Sequence, residues 1–166
     1  MTLREILTWP DPRLSRVCEP VGRDEDLDSL IADMFDTMYA APGRGLAAPQ
    51  VGVMKRLFVM DVTWKAGPKT PVVMINPQII DRSATRQTNA EGCLSIPGVT
   101  VDVDRPDAVT MAWTDVQGLL REERFTGFGA ICVQHELDHL DGIVTFDRAA
   151  PAVRQAAEAD YARRPA

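Results

Sequence analysis

No run of about 18 apolar residues, the least a bilayer-crossing helix needs, occurs anywhere in these 166 residues. A membrane-spanning helix is therefore excluded. The opening residues, Met1-Thr2-Leu3-Arg4-Glu5-Ile6-Leu7 running into Trp9-Pro10-Asp11-Pro12, lack the apolar core of a secretion signal. Cysteine is sparse: Cys18, Cys93 and Cys132 are odd in number and scattered. They make no disulfide framework, which points to a reducing, cytoplasmic setting with free thiols. Positive charge is also short. Lys and Arg total 18 against 24 acidic residues, a net charge of −6, so no broad basic surface exists to neutralise phosphates and a dedicated nucleic-acid binder is excluded. Repeats, low-complexity tracts and linker-like stretches are missing too. Histidine is the scarcest of the chemically useful residues, with two in the whole chain.

What is present suits one folded unit. A chain 45% hydrophobic and 25% charged is ordinary for a globular protein, and we read residues 1–166 as a single domain. From Asp24 to Tyr39, Leu27, Leu30, Ile31, Met34, Phe35 and Met38 recur at helical spacing behind acidic residues, and Pro42-Gly43 ends the pattern. Short apolar or alternating runs follow at Leu57–Val62, Val72–Ile75, Val99–Val103, Ala108–Trp113 and Leu119–Phe125, divided by Gly, Pro and Asp. These predict strands. A second helix is predicted over Gly129–Leu140, stopped by Asp141-Gly142, and a short last one over Ala152–Arg164. The order lacks regular β-α alternation. It predicts an α+β fold, with antiparallel sheets wrapped around a central helix.

That central helix holds both histidines. His135-Glu136-Leu137-Asp138-His139 has the His-Glu-x-x-His spacing, and helical positions four apart lie one above the other on one face. Two imidazoles so arranged can share a metal ion, with Glu136 beside a water that the ion activates. Two ligands leave a catalytic site one short. With no histidine left, the third is a cysteine or a carboxylate. Cys132 shares the helix face, yet it lies seven residues from His139, about 10 Å of helix rise. A short thiol does not span that at a bonding distance of about 2.3 Å, so Cys132 reads as a core residue. Nothing marks Cys18. Cys93 lies in the polar, glycine-flanked Glu91-Gly92-Cys93-Leu94-Ser95-Ile96-Pro97-Gly98, where backbone can approach a ligand closely. Spacing alone leaves Cys93 open between ligand and bystander.

Three segments in order, Gly43-Arg44-Gly45-Leu46-Ala47-Ala48-Pro49-Gln50, Glu91-Gly92-Cys93-Leu94-Ser95 and Gln134-His135-Glu136-Leu137-Asp138-His139, resemble the bacterial-type peptide deformylase family. The resemblance runs from Ile6 to Asp147. It implies that Cys93, His135 and His139 bind one divalent metal, usually Fe(II), with Zn(II), Ni(II) or Co(II) as substitutes. It implies Glu136 as the catalytic acid/base, with Gln50 and the Leu94 backbone N–H stabilising the oxyanion. Gly45 matches a glycine whose backbone lies beside the substrate. The implied substrate is the N-formylmethionyl end of new polypeptides, with a transient ribosome contact, in the bacterial cytoplasm, by a monomer. Glu91 and Asp138 are candidates to hold the ligand histidines, and Arg105 is read as an ion-pairing or substrate-side residue.

The residue types suit that chemistry. Amide hydrolysis needs a nucleophile at neutral pH and a group that accepts a proton first and donates it later, which a tuned carboxylate such as Glu136 can do. Gln50 read by itself is a loop amide. One departure stands out. Position 44 is usually small and aliphatic in the family, near the methionine pocket, and here it is Arg44, either a substrate-side residue or one pointing to solvent. The tail after Ala149 carries three arginines against Glu158 and Asp160, little charge for meeting a ribosome. Two other functions compete. A zinc peptidase would take its third ligand downstream of the helix, where acids such as Asp147, Glu158 and Asp160 stand but no histidine does. A non-catalytic relic would have lost Glu136, Cys93 or Gln50, and all three are present.

Overall fold

The computed structural model describes residues 2–165. Its elements run α1 (Asp28–Ala40), β1 (Gly45–Ala47), β2 (Leu57–Met60), β3 (Val72–Arg82), β4 (Arg86–Cys93), β5 (Ile96–Pro106), β6 (Ala108–Thr114), β7 (Leu120–Thr126), α2 (Gly127–Leu140), α3 (Thr145–Arg148) and α4 (Pro151–Arg163). Strands pair antiparallel throughout, as a five-stranded sheet in the order β1-β2-β3-β6-β7 and a separate β4-β5 ribbon. The α+β expectation holds, and α2 lies at the centre.

Burial explains why that helix is central. Every residue of α2 from Cys132 to Leu140 is buried, so the helix must be covered on more than one side. One face, with Ala130, Val133, Leu137 and Leu140, packs on Phe58, Met60, Met74, Val109 and Met111 of the large sheet. The opposite surface of that sheet, through Leu46, Leu57 and Val59, meets Met34 and Met38 of α1. Alternation along a strand thus sends successive β2 residues to different cores, which is why Leu57-Phe58-Val59-Met60 is apolar without interruption. A third cluster joins Ile96, Val101 and Val103 of β5 to Phe146 of α3, Ala157 and Tyr161 of α4, and Leu7. The ribbon is thereby pressed against the remaining face of α2.

Several boundaries differ from the sequence reading, each for a local reason. Helix α1 begins at Asp28, not Asp24, because the acids ahead of it form a turn. Gly22 N–H donates to Glu25 Oε1 at 2.8 Å and Asp28 N–H to Asp26 Oδ1 at 3.1 Å, the competition that short polar side chains offer a helix start. Strand β4 is absent from the prediction because Arg86-Gln87-Thr88-Asn89-Ala90-Glu91-Gly92-Cys93 has no apolar alternation. It is extended by pairing with β5, which supplies the buried Val101 and Val103. Strands β3 and β5 outrun their apolar cores for the same reason, and β2 stops at Met60. Helix α4 sits one residue earlier than expected, with Pro151 in its first turn. Gly142 closes α2 at φ 72°, and a Cβ there would stand 2.7 Å from the Ser15 carbonyl carbon, so the stop at Asp141-Gly142 also seats the N-terminal segment.

Candidate active site

The β4-β5 hairpin turns at Leu94-Ser95, beside the exposed-to-cavity face of α2. This brings the Cys93 sulfur and the two imidazoles together: one ligand atom from each of Cys93, His135 and His139 lies within 4.8 Å of the others. Cys93 Sγ is 3.4 Å from His139 Nε2. Tetrahedral ligands at about 2.3 Å for sulfur and about 2.0 Å for nitrogen stand about 3.5 Å apart, so the observed spacing fits a shared ion. Cys132 is packed in the main core, as expected for a small hydrophobe.

A chain of ion pairs fixes one of the imidazoles. His135 Nδ1–H donates to Glu91 Oε1 at 2.9 Å, which makes Nε2 the nitrogen that would face a metal ion. Glu91 is gripped in turn by Arg105, through Nε at 2.7 Å and Nη2 at 3.0 Å. The third Arg105 nitrogen reaches Asp138 at 2.9 Å, and Asp138 also takes two hydrogen bonds from Arg148. Arg105 is thus an ion-pairing residue. Asp138 serves Arg105 and Arg148, not an imidazole, and His139 Nδ1 has no partner among the described residues.

Electrostatics separate the buried groups. Burial pushes Glu91 up, but the hydrogen bonds from His135 and Arg105 outweigh it and hold the carboxyl below its usual value. For His135, burial disfavours the cation, yet Cys93 and Glu91 outweigh burial and raise it well above an ordinary imidazole. Burial, reinforced by the neighbouring His135, drives His139 well below. Glu136 has no such hydrogen bonds among the described residues, and the charges of His135 and Arg105 oppose its burial without outweighing it. Burial lifts it to about 7, and its Oε2 is buried without a partner among the described residues.

Gln50 is buried, not the loop amide its sequence context suggests. Its Oε1 accepts the Ala47 N–H at 2.9 Å, which orients the amide. Nε2 therefore points to Ser95 Oγ at 3.0 Å and Cys93 Sγ at 3.7 Å. Gly45 lies against Glu136: a Cβ there would be 2.6 Å from Oε1. These residues, with Leu94 and Arg44, line a cleft of about 780 Å³, the size of a small-ligand site. Arg44 neither lies on the floor nor points freely to solvent; its guanidinium carbon sits 4.9 Å from the Phe128 ring centre.

Some supporting residues escape sequence reasoning. Leu7 N–H donates to Gln50 O at 2.7 Å and Trp9 N–H to Ser95 O at 2.8 Å, so the N-terminal segment ties both loops down. Backbone bonds of this kind leave no side-chain signature. Ser95 and Arg148 had only their position in or near a motif to mark them.

An antiparallel α+β fold presenting two helical imidazoles, one thiol and a buried carboxylate in a cleft defines a class, the hydrolytic metal-site proteins. The comparisons are more particular. The family model for polypeptide deformylase matches residues 3–155. A peptide deformylase of Erythrobacter litoralis is 44% identical, the match covering 95% of this chain and 94% of that one. One of Rhizorhabdus wittichii is 47% identical over 89% and 86%. The crystal structure of a Legionella pneumophila peptide deformylase superposes with a TM-score of 0.89 at 40% identity, covering 99% of this chain and all of that one. The chain belongs to the peptide deformylase family.

Proposed function

We propose that this protein hydrolyses the N-formyl group from the formylmethionine that begins new polypeptides, releasing formate, in the bacterial cytoplasm. The observation that carries the reading is the convergence of Cys93, His135 and His139 within 4.8 Å beside a buried carboxylate. These three residues would hold one divalent ion. A thiolate with two imidazoles suits Fe(II), and also Zn(II), Ni(II) or Co(II); the family resemblance favours iron. Bound there, the ion supplies Lewis acidity, polarising the formyl carbonyl and lowering the pKa of water toward neutrality.

The chain's own groups do the rest. Glu136 takes the proton of the attacking water at its unpartnered Oε2 and returns it to the departing amine. Burial, which favours the protonated carboxyl, suits the group to hold that proton before passing it on. The Gln50 Nε2–H, already aimed at the Cys93 side of the cleft by its bond from Ala47, and the Leu94 N–H at the hairpin turn stabilise the oxyanion. One such donor is worth about 3 kcal/mol in the transition state. Gly45 keeps backbone, not side chain, along the substrate path, and its strand β1 is an edge of the large sheet.

Formate release from formyl-Met-Ala-Ser under anaerobic conditions tests the proposal. Iron-loaded protein should turn over faster than zinc-loaded protein, and stripping the metal with a chelator should abolish activity. Glu136→Ala should lower kcat by about 10²–10⁴-fold. Hydrolysis that survives this substitution would sink the mechanism, and an inactive iron form would sink the function.

A further inference from the structure

Two cations, Arg44 and Lys65, line the mouth of the cleft, and neither forms an ion pair among the described residues. Among the described residues the only lining carboxylates are Glu91 and Glu136, both buried. Glu91 is already committed to Arg105 and His135. The mouth is therefore cationic in a molecule whose net charge is −6.

The local structure keeps it so. Arg44 immediately precedes β1, and its carbonyl accepts the Asp61 N–H at 2.8 Å. Asp61 is thus the carboxylate across the strand pair from Arg44. It is fully buried and turned inward, its oxygens taken by Tyr39 Oη at 2.7 Å and by the N–H groups of Thr63, Trp64 and Thr70. Trp64 Nε1–H donates to Gly43 O at 2.9 Å, so the Lys65 loop is tied to the Arg44 segment. The Arg44 guanidinium carbon lies 4.9 Å from the ring centre of the half-exposed Phe128 in the first turn of α2. The guanidinium N–H groups have no hydrogen-bond partner among the described residues and are available for a carboxylate.

We propose that Arg44, with Lys65, is a specificity determinant that favours formyl peptides carrying a carboxylate close behind the formylmethionine. The inference rests on the proposed deformylation. With the formyl group at the floor beside Glu136, the residues following methionine leave through the mouth and pass these cations. The carboxylate comes from an Asp or Glu side chain or from the free C-terminus of a short peptide. Arg44 defines this site, since it is half-buried with its guanidinium carbon 4.9 Å from the Phe128 ring centre, whereas Lys65 is exposed with Nζ 5.7 Å from the Trp64 ring centre. The acidic molecule as a whole repels such peptides, so any preference for them arises locally.

The test compares formyl-Met-Asp-Ala-amide with formyl-Met-Asn-Ala-amide, and formyl-Met-Ala-Ser acid with its amide. In parallel, calorimetry measures binding of the unreactive N-acetyl counterparts to the same full-length protein. The acidic member of at least one pair should be favoured about five- to tenfold at low salt. The advantage should shrink as added salt shortens the Debye length to about 10 Å at 0.1 M. In Arg44→Gln it should fall to within twofold of unity, with Lys65→Gln giving a smaller loss. An advantage only in the first pair assigns the anion to the side chain, and only in the second to the terminus. Equal kcat/KM and equal binding within both pairs, or an advantage undiminished in Arg44→Gln, would overturn the proposal. Acetyl peptides that discriminate while no formyl peptide is hydrolysed would uphold the cationic mouth and defeat the proposed function instead.

Discussion

Gly45→Ala is the sharpest probe of how this site is built. An added Cβ would stand 2.6 Å from Glu136 Oε1, 2.9 Å from its Cδ and 3.0 Å from Cys132 Sγ. To restore an ordinary contact of 3.4 Å, the carboxylate must withdraw by about 0.8 Å. Gly45 has no left-handed backbone angle, so alanine brings no conformational strain, and the carboxylate is the end of a flexible side chain. The stability loss should accordingly be small, about 1 kcal/mol, or roughly 2–4 °C in Tm for a chain of this size. Catalysis is less forgiving, because a displacement of about 1 Å in a reacting group can lower the rate about 10²-fold. We expect kcat/KM on formyl-Met-Ala-Ser to fall by about that factor. A double-mutant cycle identifies the cause. If alanine acts by moving Glu136, then adding Gly45→Ala to Glu136→Gln should lower the residual rate no further. Wild-type activity in Gly45→Ala, or a full 10²-fold loss repeated in the Glu136→Gln background, would refute the reasoning.

Two further predictions concern the buried charges. In metal-free protein the folded-state value of Glu136, about 7, lies above its ordinary 4.5. The native state therefore favours the protonated form, and the associated stability, present below about pH 4.5, is lost as pH rises through 7. Relative to wild type, Glu136→Gln should gain about 3 kcal/mol between pH 4.5 and 8; denaturant titrations showing a pH-independent difference would contradict this. Arg105→Met leaves Glu91 and Asp138 each short of a buried partner and should destabilise the fold by about 3–5 kcal/mol, lowering Tm by roughly 10 °C. An unchanged melting curve would mean that the ion pairs do not support the core.

The legible part of the sequence was the part encoded in side-chain spacing. His135 and His139 announce a shared helix face, the burial of Leu57 to Met60 follows from an uninterrupted apolar run, and three motifs in order identify the family. What could not be read depended on partners distant in sequence. Strand β4 is polar and acquires its extended form from β5, so the geometry of the Cys93-Leu94-Ser95-Ile96 turn was invisible until the pairing was known. Gln50 resembles a loop amide because its burial comes from Ala47, Ser95 and the N-terminal segment. The role of Asp138, left open between holding an imidazole and a capping or solvated position, was illegible for the same reason. Two arginines, one on β5 and one on α3, outcompete the ring for that carboxylate.

Glu91 and Glu136 show how one local structure produces two different carboxylates. Both are buried, and both lie next to His135. Glu91 receives a hydrogen bond from the imidazole and two from Arg105, so its charge is compensated and its geometry fixed. Glu136, one residue along the helix from His135, projects instead toward Gly45 and the cleft, where it forms no ion pair and Oε2 lacks a partner among the described residues. Desolvation outweighs the opposing charges of His135 and Arg105 and raises the Glu136 carboxyl to about 7. Supplying Glu136 with a paired arginine would stabilise the apoprotein and undo that rise. The ion pairs fall on Glu91 and Asp138, where they orient a ligand without pairing with the base.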